Sequence, residues 1–532
     1  MKKFLLVSLA VLAMLSCKKD NPVLLPEIDN VLISGGFNPS TSALTIGNSL
    51  TFSLDAENVA SCKWYVDGAL EGEEMTFVFT PSGRGSYTIK VVAANESNDT
   101  VEQTIGTIRV VDPAPIISSL TCDGDPIGGD LEINVGGELE FSVFSTNVTI
   151  SGYEWSVNGE AVDATTSTYT FTSDWSGDYE ITVALKNLDD IATEESFTVS
   201  VNGPYKNGVV FYSTSTANLA FQSSSNYYTD LASTATGGES LTFEDVYISD
   251  NIIYFLTSYK KILACDAQTF KKIEEYGDFS TTGIGYSYRF IKAAENKFYI
   301  STEKAVAGGG LWSYQKQGDD YVMSATAIAG TANAPYSKPI KVGDYILVGN
   351  GDDIAVIDPS TDMAVPHSKN GIEIDAARKI RDVVRGRDGY IYAVAYGSST
   401  VTSSVIKIDP ADFSFIEETE LLEGTNKVYQ SFMAGARAAA SLSSNHIFIM
   451  GAGGIYKYDY QGKSTSLFAT GSGTALNYMQ MGVDQENLYV GSTNYSTSEV
   501  QIYNIQTGVK TALPSRVPGD ASIMSTYQFA GM

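Results

Sequence analysis

The chain has 532 residues, of which 34 are Lys or Arg and 62 are Asp or Glu, for a formal net charge of -28. So acidic a surface excludes a nucleic-acid binder, which needs cations for phosphate contacts, and electrostatic attachment to anionic lipid. Two histidines, His367 and His446, exclude a His-rich metal site, while 43% hydrophobic residues are enough to fill several cores. Tyrosine is unevenly spread: only five of the 32 precede residue 205.

In chain order, Lys2 and Lys3 come first, then an apolar run over residues 4–15. The run has signal-peptide length and is too short for a spanning helix. It ends in Ser16-Cys17. A small residue followed by Cys at this point resembles the lipobox of bacterial lipoproteins, with Met14 where that motif usually carries Leu. The resemblance implies that residues 1–17 comprise a signal peptide ending in a lipidated Cys17. It also implies anchorage in the outer membrane through that lipid alone, facing the extracellular side, with periplasm-facing anchorage as the alternative. Residues 18–23 read as a tether. Lys18-Lys19-Asp20 departs from the acidic cluster that surface-displayed lipoproteins often carry there. The remaining cysteines, Cys62, Cys122 and Cys265, are odd in number and read as buried thiols rather than a disulfide framework.

Residues 24–112 and 113–203 repeat one pattern. Trp64-Tyr65-Val66-Asp67-Gly68 is matched by Trp155-Ser156-Val157-Asn158-Gly159, and Gly85-Ser86-Tyr87 by Gly177-Asp178-Tyr179. Short alternating strands, Asp-Gly and Asn-Gly turns and one Trp per copy predict two tandem β-sandwiches. The W-x-V-[DN]-G and G-x-Y pair resembles the PKD-like, Ig-like domains of bacterial surface proteins. That resemblance implies spacer modules, with the two Trp as core and the Tyr at a sheet corner. Asp112-Pro113-Ala114-Pro115 reads as a stiff linker, and Gly203-Pro204 closes the second copy.

From residue 205 to 532 a different phrase recurs. Its second strand is anchored at Tyr212, Tyr254, Tyr299, Ile346, Tyr392, Phe448 and Tyr489, at spacings of 42, 45, 47, 46, 56 and 41. Units of that length with four strands each predict a seven-bladed β-propeller, so the whole chain reads as all-β. The first unit lacks its innermost strand, and residues 521–527 offer a leftover strand to supply it and close the ring. Residues 434–442, rich in Ala, read as a small-residue inner strand. The register and turns such as Ile357-Asp358-Pro359-Ser360-Thr361 resemble the YncE-like, surface-layer-type propellers.

Strand polarity puts the one-two and three-four loops on one face. Their Asp, Asn, Gly and Pro set turn geometry and suit a support face. The two-three loops and the connections between blades share the opposite face. It collects Tyr259, Tyr286, Tyr288, Arg289, Tyr336, Tyr396, Tyr429, Arg437, Tyr478, Tyr495 and Tyr527, with Asn477. Tyr and Arg on a rigid scaffold give contact area at low entropy cost, so these are the candidate ligand-binding residues. For any one Tyr, a wedge packed between blades is the competing reading. Neither histidine is expected on this face, Asp352-Asp353 reads as a solvated turn, and no catalytic motif occurs, so no enzyme, metal or cofactor is expected.

Some surface propeller lipoproteins of this type bind cobalamin-like corrinoids and pass them to a TonB-dependent transporter. That likeness implies a corrinoid, or another nutrient, as ligand rather than cofactor. The two sandwiches depart from it. The alternative is an adhesin or glycan-binding surface protein.

Overall fold

The computed structural model describes residues 24–38, 43–205 and most of 208–531. Outside the description lie 1–23, 39–42, 206–207, 214–216, 218, 224–226, 229, 259, 278, 280–286, 303–308, 333–336, 398–399, 423–437, 442, 452–453, 471–476, 484–485, 494–497, 513–526 and 532. Cys17 and the tether therefore fall outside it. The chain divides into two compact units, one of Met1–Leu131, Glu138–Thr172 and Tyr179–Val199, the other of Glu132–Gly137, Ser173–Asp178 and Ser200–Met532. Among the described residues the secondary structure is strand except for one short helix, Ala232–Thr236, and no helix is long and apolar enough to cross a membrane.

In the first unit, the strands Glu27–Gly35, Leu50–Glu57 and Thr76–Phe79 form one antiparallel sheet. A second sheet contains Ser61–Val66, Gly85–Ala94 and Thr100–Val111. Alternation along these strands turns Leu50, Phe52, Trp64, Ile89 and Val91 into one shared core. Trp64 is fully buried, and its indole Nε1 donates to Glu74 O at 2.8 Å. Trp155 repeats this with Thr166 O at 2.9 Å. Tyr87 behaves as a corner residue, its hydroxyl donating to Gly83 O at 2.9 Å. Cys62, Cys122 and Cys265 are buried free thiols.

The Asp112–Pro115 segment is held as well as stiff. Asp112 N donates to Asp189 Oδ2 at 2.8 Å, and Asn187 Nδ2 to Pro113 O at 2.9 Å. Asn147 Nδ2 donates to Ala114 O at 2.8 Å, and Thr193 Oγ1 to Pro115 O at 2.7 Å.

The second unit contains seven four-stranded antiparallel sheets among its described residues. Sheets two to seven each take four consecutive strands, as in Phe243–Ser249, Ile252–Thr257, Ile262–Asp266 and Lys272–Tyr276. The inner strand of the first sheet is Tyr527–Gly531, paired with Gly208–Ser213. C-terminal closure was legible in the sequence; the described strand shares Tyr527 with residues 521–527, of which 521–526 lie outside the described residues. Tyr527–Gly531 also contacts the inner strands Phe243–Ser249 and Asn477–Val483, which closes the ring. This is a β-propeller, and closure pairs the inner edge of the first sheet.

The anchors Tyr254, Tyr299, Ile346, Tyr392, Phe448 and Tyr489 are all buried, each second or third in its strand. Tyr212 is also buried but is fifth in Gly208–Ser213. Val210 occupies the matching place, so the aromatic identity of Tyr212 misplaced the alignment by two residues. Ala438–Ala440 forms the inner strand of the sixth sheet, as the small-residue run predicted.

Candidate functional site

Four inner strands share one irregularity near their start. The register slips by a residue between Phe243 and Asp245, Ser287 and Arg289, Ile380 and Asp382, and Tyr478 and Gln480. A one-residue bulge re-aims the next side chain off the regular alternation. Here it turns Asp245, Arg289 and Asp382 into buried positions among apolar neighbours.

Buried charge survives only when paired. Arg289 Nη1 lies 3.1 Å from Asp245 Oδ1, joining the inner strands of the second and third sheets, and both side chains are almost wholly inaccessible. Phe290 N donates to Asp245 Oδ2 at 3.1 Å. The Tyr212 hydroxyl of the first sheet donates to Asp245 Oδ1 at 3.4 Å. Lys338, just before the inner strand Ile340–Val342 of the fourth sheet, brings Nζ to 3.5 Å from the same oxygen and 3.4 Å from Val246 O. Four consecutive sheets thus meet at one carboxylate. Burial pushes the Tyr212 hydroxyl well above its ordinary range, and Asp245 adds to the shift. Glu244, the bulge residue beside Asp245, has its carboxyl pushed up to about 7 by burial, with Arg289 opposing and Asp245 reinforcing.

The candidate residues divide into three groups. Tyr259, Tyr286, Tyr336, Tyr429, Arg437 and Tyr495 lie outside the described residues. Tyr288, Tyr478 and Tyr527 are placed by their backbone at the start of the inner strands Ser287–Ala294, Asn477–Val483 and Tyr527–Gly531. Arg289 and Tyr396 are described in full and are buried. Arg289 is the third residue of its inner strand, locked on Asp245. Tyr396 ends the second strand Ile391–Tyr396 and donates its hydroxyl to Asp382 Oδ2 at 2.8 Å. It packs with Leu421, Ala438 and Ile449, the wedge arrangement. What the structure adds is Asp245, Glu244, Lys338 and Asp382. Their signal was an acidic or basic residue at the head of an apolar inner strand, visible only once the bulge is known.

His367 was expected away from this face and lies on it. Its Nε2 is 2.9 Å from Asp353 Oδ1 in the loop between Tyr345–Gly349 and Ile354–Asp358, a two-three loop. Lys369 Nζ is 3.3 Å from Asp353 Oδ2, so this partly exposed turn residue is also ion-paired. His446 begins its second strand, on the opposite face as expected. Among the described residues no group of three or more His, Cys, Asp or Glu is placed to hold a metal ion.

Fold and site together define an all-β protein with a β-propeller whose blades converge on a buried charge cluster at one end. The chain belongs to the family described as Domain of unknown function (DUF5074), whose model matches residues 167–512, more than half its length. Solved structures similar to it include the following three. One is a quinonprotein alcohol dehydrogenase-like protein from Bacteroides thetaiotaomicron, 16% identical, covering 78% of this chain and 99% of that one, TM-score 0.45. Another is the Cps50 (Swd1) β-propeller domain of Myceliophteria thermophila, 11% identical, with coverages of 57% and 98% and a TM-score of 0.37. BamB from Moraxella catarrhalis is 16% identical, with coverages of 58% and 83% and a TM-score of 0.35. The propeller assignment rests on the chain's own sheets. No curated protein matches the chain.

Proposed function

We propose that the protein is an outer-membrane lipoprotein, anchored through Cys17 and facing the extracellular side, whose propeller captures a ligand without catalysis. In this reading the seven sheets are the seven blades of a YncE-like propeller. Residues 24–112 and 113–203 are PKD-like sandwich spacers. The observation that carries it is the asymmetry of the propeller's ends. At one end Asp358, Asp409, Asp459 and Asn504 are satisfied inside their own turns. At the other, Tyr212, Asp245, Arg289 and Lys338 converge from four sheets around the heads of the inner strands. Ligands bind where a rigid scaffold focuses polar groups from several elements.

The ligand in this reading is a corrinoid or a comparable nutrient, passed to a TonB-dependent transporter. A corrinoid here is cargo, and no cofactor is required. Titration of the purified protein with cyanocobalamin, followed by calorimetric heat, tests it. Saturable binding at micromolar concentration is expected, and its absence removes the corrinoid version.

A second reading, adhesion or glycan capture, draws on the first unit. Leu32, Ile33, Phe37 and Val78 stand exposed on its strands, and exposed apolar residues of this kind suit a partner surface. A glycan array with the same protein separates the two.

A further inference from the structure

The second repeat, residues 113–203, carries a cleft that neither reading above uses. Its volume is about 580 Å³, and all its lining residues belong to the first compact unit. It opens on the side of the sandwich, between the strands Ile117–Cys122 and Ala192–Asn202, which belong to different sheets. Just before it, Thr193 Oγ1 donates to Pro115 O at 2.7 Å and ties the two sides together. At its other end the chain crosses from the strand Asp125–Pro126 of one sheet to Leu131–Asn134 of the other, by way of Gly129 and Asp130. Leu120 and Phe197 are half-buried in the lining. Phe197 packs on the fully buried Phe141, ring centroids 4.7 Å apart.

Both strands present an open edge here. The outer neighbour of Ile117–Cys122 is Asp125–Pro126, which pairs only with Thr121 and Cys122, and Ile127 N adds one bond to Leu120 O at 3.1 Å. Toward Ile117 no described strand lies on that side. Ala192–Asn202 has eleven residues, and its outer neighbour Leu131–Asn134 has four. Val135 N donates to Asn202 O at 3.0 Å, so the short strand covers the far end and leaves the cleft side open. Edges of this kind accept a further strand. Their rim is acidic. Asp130 and Glu195 line the cleft, stand exposed, and have no hydrogen-bonded or ion-paired partner among the described residues. Two such acids on a chain of net charge -28 repel a second copy and attract a basic segment.

We propose that this cleft docks an extended basic segment of a partner protein, added as a strand along the open edges. The stretch Ile117–Leu120 gives room for about four residues of such a strand. Its apolar side chains rest on Leu120 and Phe197, and its Lys or Arg side chains reach Asp130 and Glu195. Successive side chains of a strand point to opposite faces, so a sequence alternating basic and apolar residues fits best. The site goes beyond both readings above. The propeller and the exposed residues of the first repeat take no part in it, and the failure of either reading leaves it untouched.

The test uses the full chain and a fluorescein-labelled octapeptide of alternating Lys and Val. Anisotropy is read at about 0.15 M salt, where long-range attraction to an acidic chain is screened. Saturable binding is expected. A Lys-Ser octapeptide carries the same charge without the apolar face and should bind at least ~10-fold more weakly. A Lys-Val peptide N-methylated at every peptide nitrogen has no N–H to donate along an edge, and it should also lose at least ~10-fold. Combining Asp130→Asn with Glu195→Gln should weaken the Lys-Val peptide at least ~10-fold. Gly129 lines the cleft where an added Cβ meets no atom within 4 Å, so Gly129→Phe puts bulk into the cleft at little cost to the fold and should abolish binding. Should Gly129→Phe fail to fold, as seen by circular dichroism, the peptide comparisons and the paired acid variant decide. Equal binding of the Lys-Ser peptide, or equal binding by every variant, marks general attraction to an acidic surface and overturns the docking site. The absence of saturable binding overturns it too. Labelled chitohexaose bound where the peptide is not would overturn it in favour of a sugar cleft.

Discussion

The two ends of the propeller's strands satisfy their polar groups with a different emphasis. At the end carrying the one-two and three-four loops, several acids and amides are paired inside their own turn, while Asp362 reaches Lys297 and Tyr299 of the preceding sheet. Asp358 accepts from Ser360 N at 2.8 Å, Asp409 from Ala411 N at 2.9 Å, Asp459 from Gln461 N at 2.9 Å and Asn504 from Thr507 N at 2.9 Å. At the other end the partners come from different sheets. Asp245 takes Arg289 and Lys338, and Ser337 Oγ donates to Arg381 O at 2.6 Å across two sheets. A local turn costs little to form and little to lose. A cross-sheet pair needs the closed ring before it exists and leaves a buried charge behind when one member goes.

The largest effect should therefore come from Arg289→Ala. It strips a buried carboxylate of its main counter-charge, and a loss of about 3–5 kcal/mol is expected from urea unfolding. A loss below ~1 kcal/mol would mean that the cluster is solvated, and the contrast between the two ends would vanish.

Asp266 is a turn acid that mixes the two modes. Its Oδ1 serves its own turn through Gln268 N at 3.0 Å and Thr269 N at 2.8 Å. Its Oδ2 accepts from Ser176 N at 2.7 Å, in the segment Ser173–Asp178 that belongs to the same compact unit, and both side chains are buried. Asp266→Ala should cost about 2–3 kcal/mol, well above any turn acid with only local partners. An Asp266→Ala loss no larger than that of Asp409→Ala in urea unfolding would return Asp266 to the local class.

Glu244 sharpens the comparison through pH. Its carboxyl is pushed from an ordinary 4.5 up to about 7, mainly by burial. A carboxyl raised in the folded state contributes stability that is full below its unfolded value and is lost as pH rises through the folded one. The protein should thus lose stability from this group between about pH 4.5 and about pH 7, on the order of 1–2 kcal/mol after solvent screening. Glu244→Gln should flatten that stretch of a pH series of urea midpoints. An unchanged slope would place Glu244 in water.

The same contrast explains what could be read in the sequence. Turn residues such as Asp358-Pro359 and Asp409-Pro410 act on their nearest neighbours, so a string of letters is enough to locate them, and with them the blade period. The buried Trp64 and Trp155 were legible for the same reason, from a turn and an alternation close by. Arg289 was picked out as a binding residue because Arg near an inter-blade loop suggests display. The bulge at Tyr288 places it third in a strand and buries it on Asp245, 44 positions away in sequence. Tyr396 was singled out on the same grounds and is instead held by Asp382. Bulges carry no sequence signature here, and without them Asp245 does not stand out from ordinary surface charge.

The smallest expected effect is the one that fixes the baseline. Asp409→Ala removes one hydrogen bond to Ala411 N, in an exposed turn whose backbone bond, Phe413 N to Asp409 O at 2.9 Å, does not depend on the side chain. Water replaces the lost partner at once, so only about 0.5–1 kcal/mol should disappear from urea unfolding. Since the turn merely reverses the chain between Ser404–Ile408 and Phe415–Glu420, no property of the opposite end should follow it. The pH dependence set by Glu244 in particular should match that of the unaltered protein. If Asp409→Ala changed that dependence while the fold stayed intact, the two ends would be coupled through the blade, and the division of labour drawn between them would be wrong.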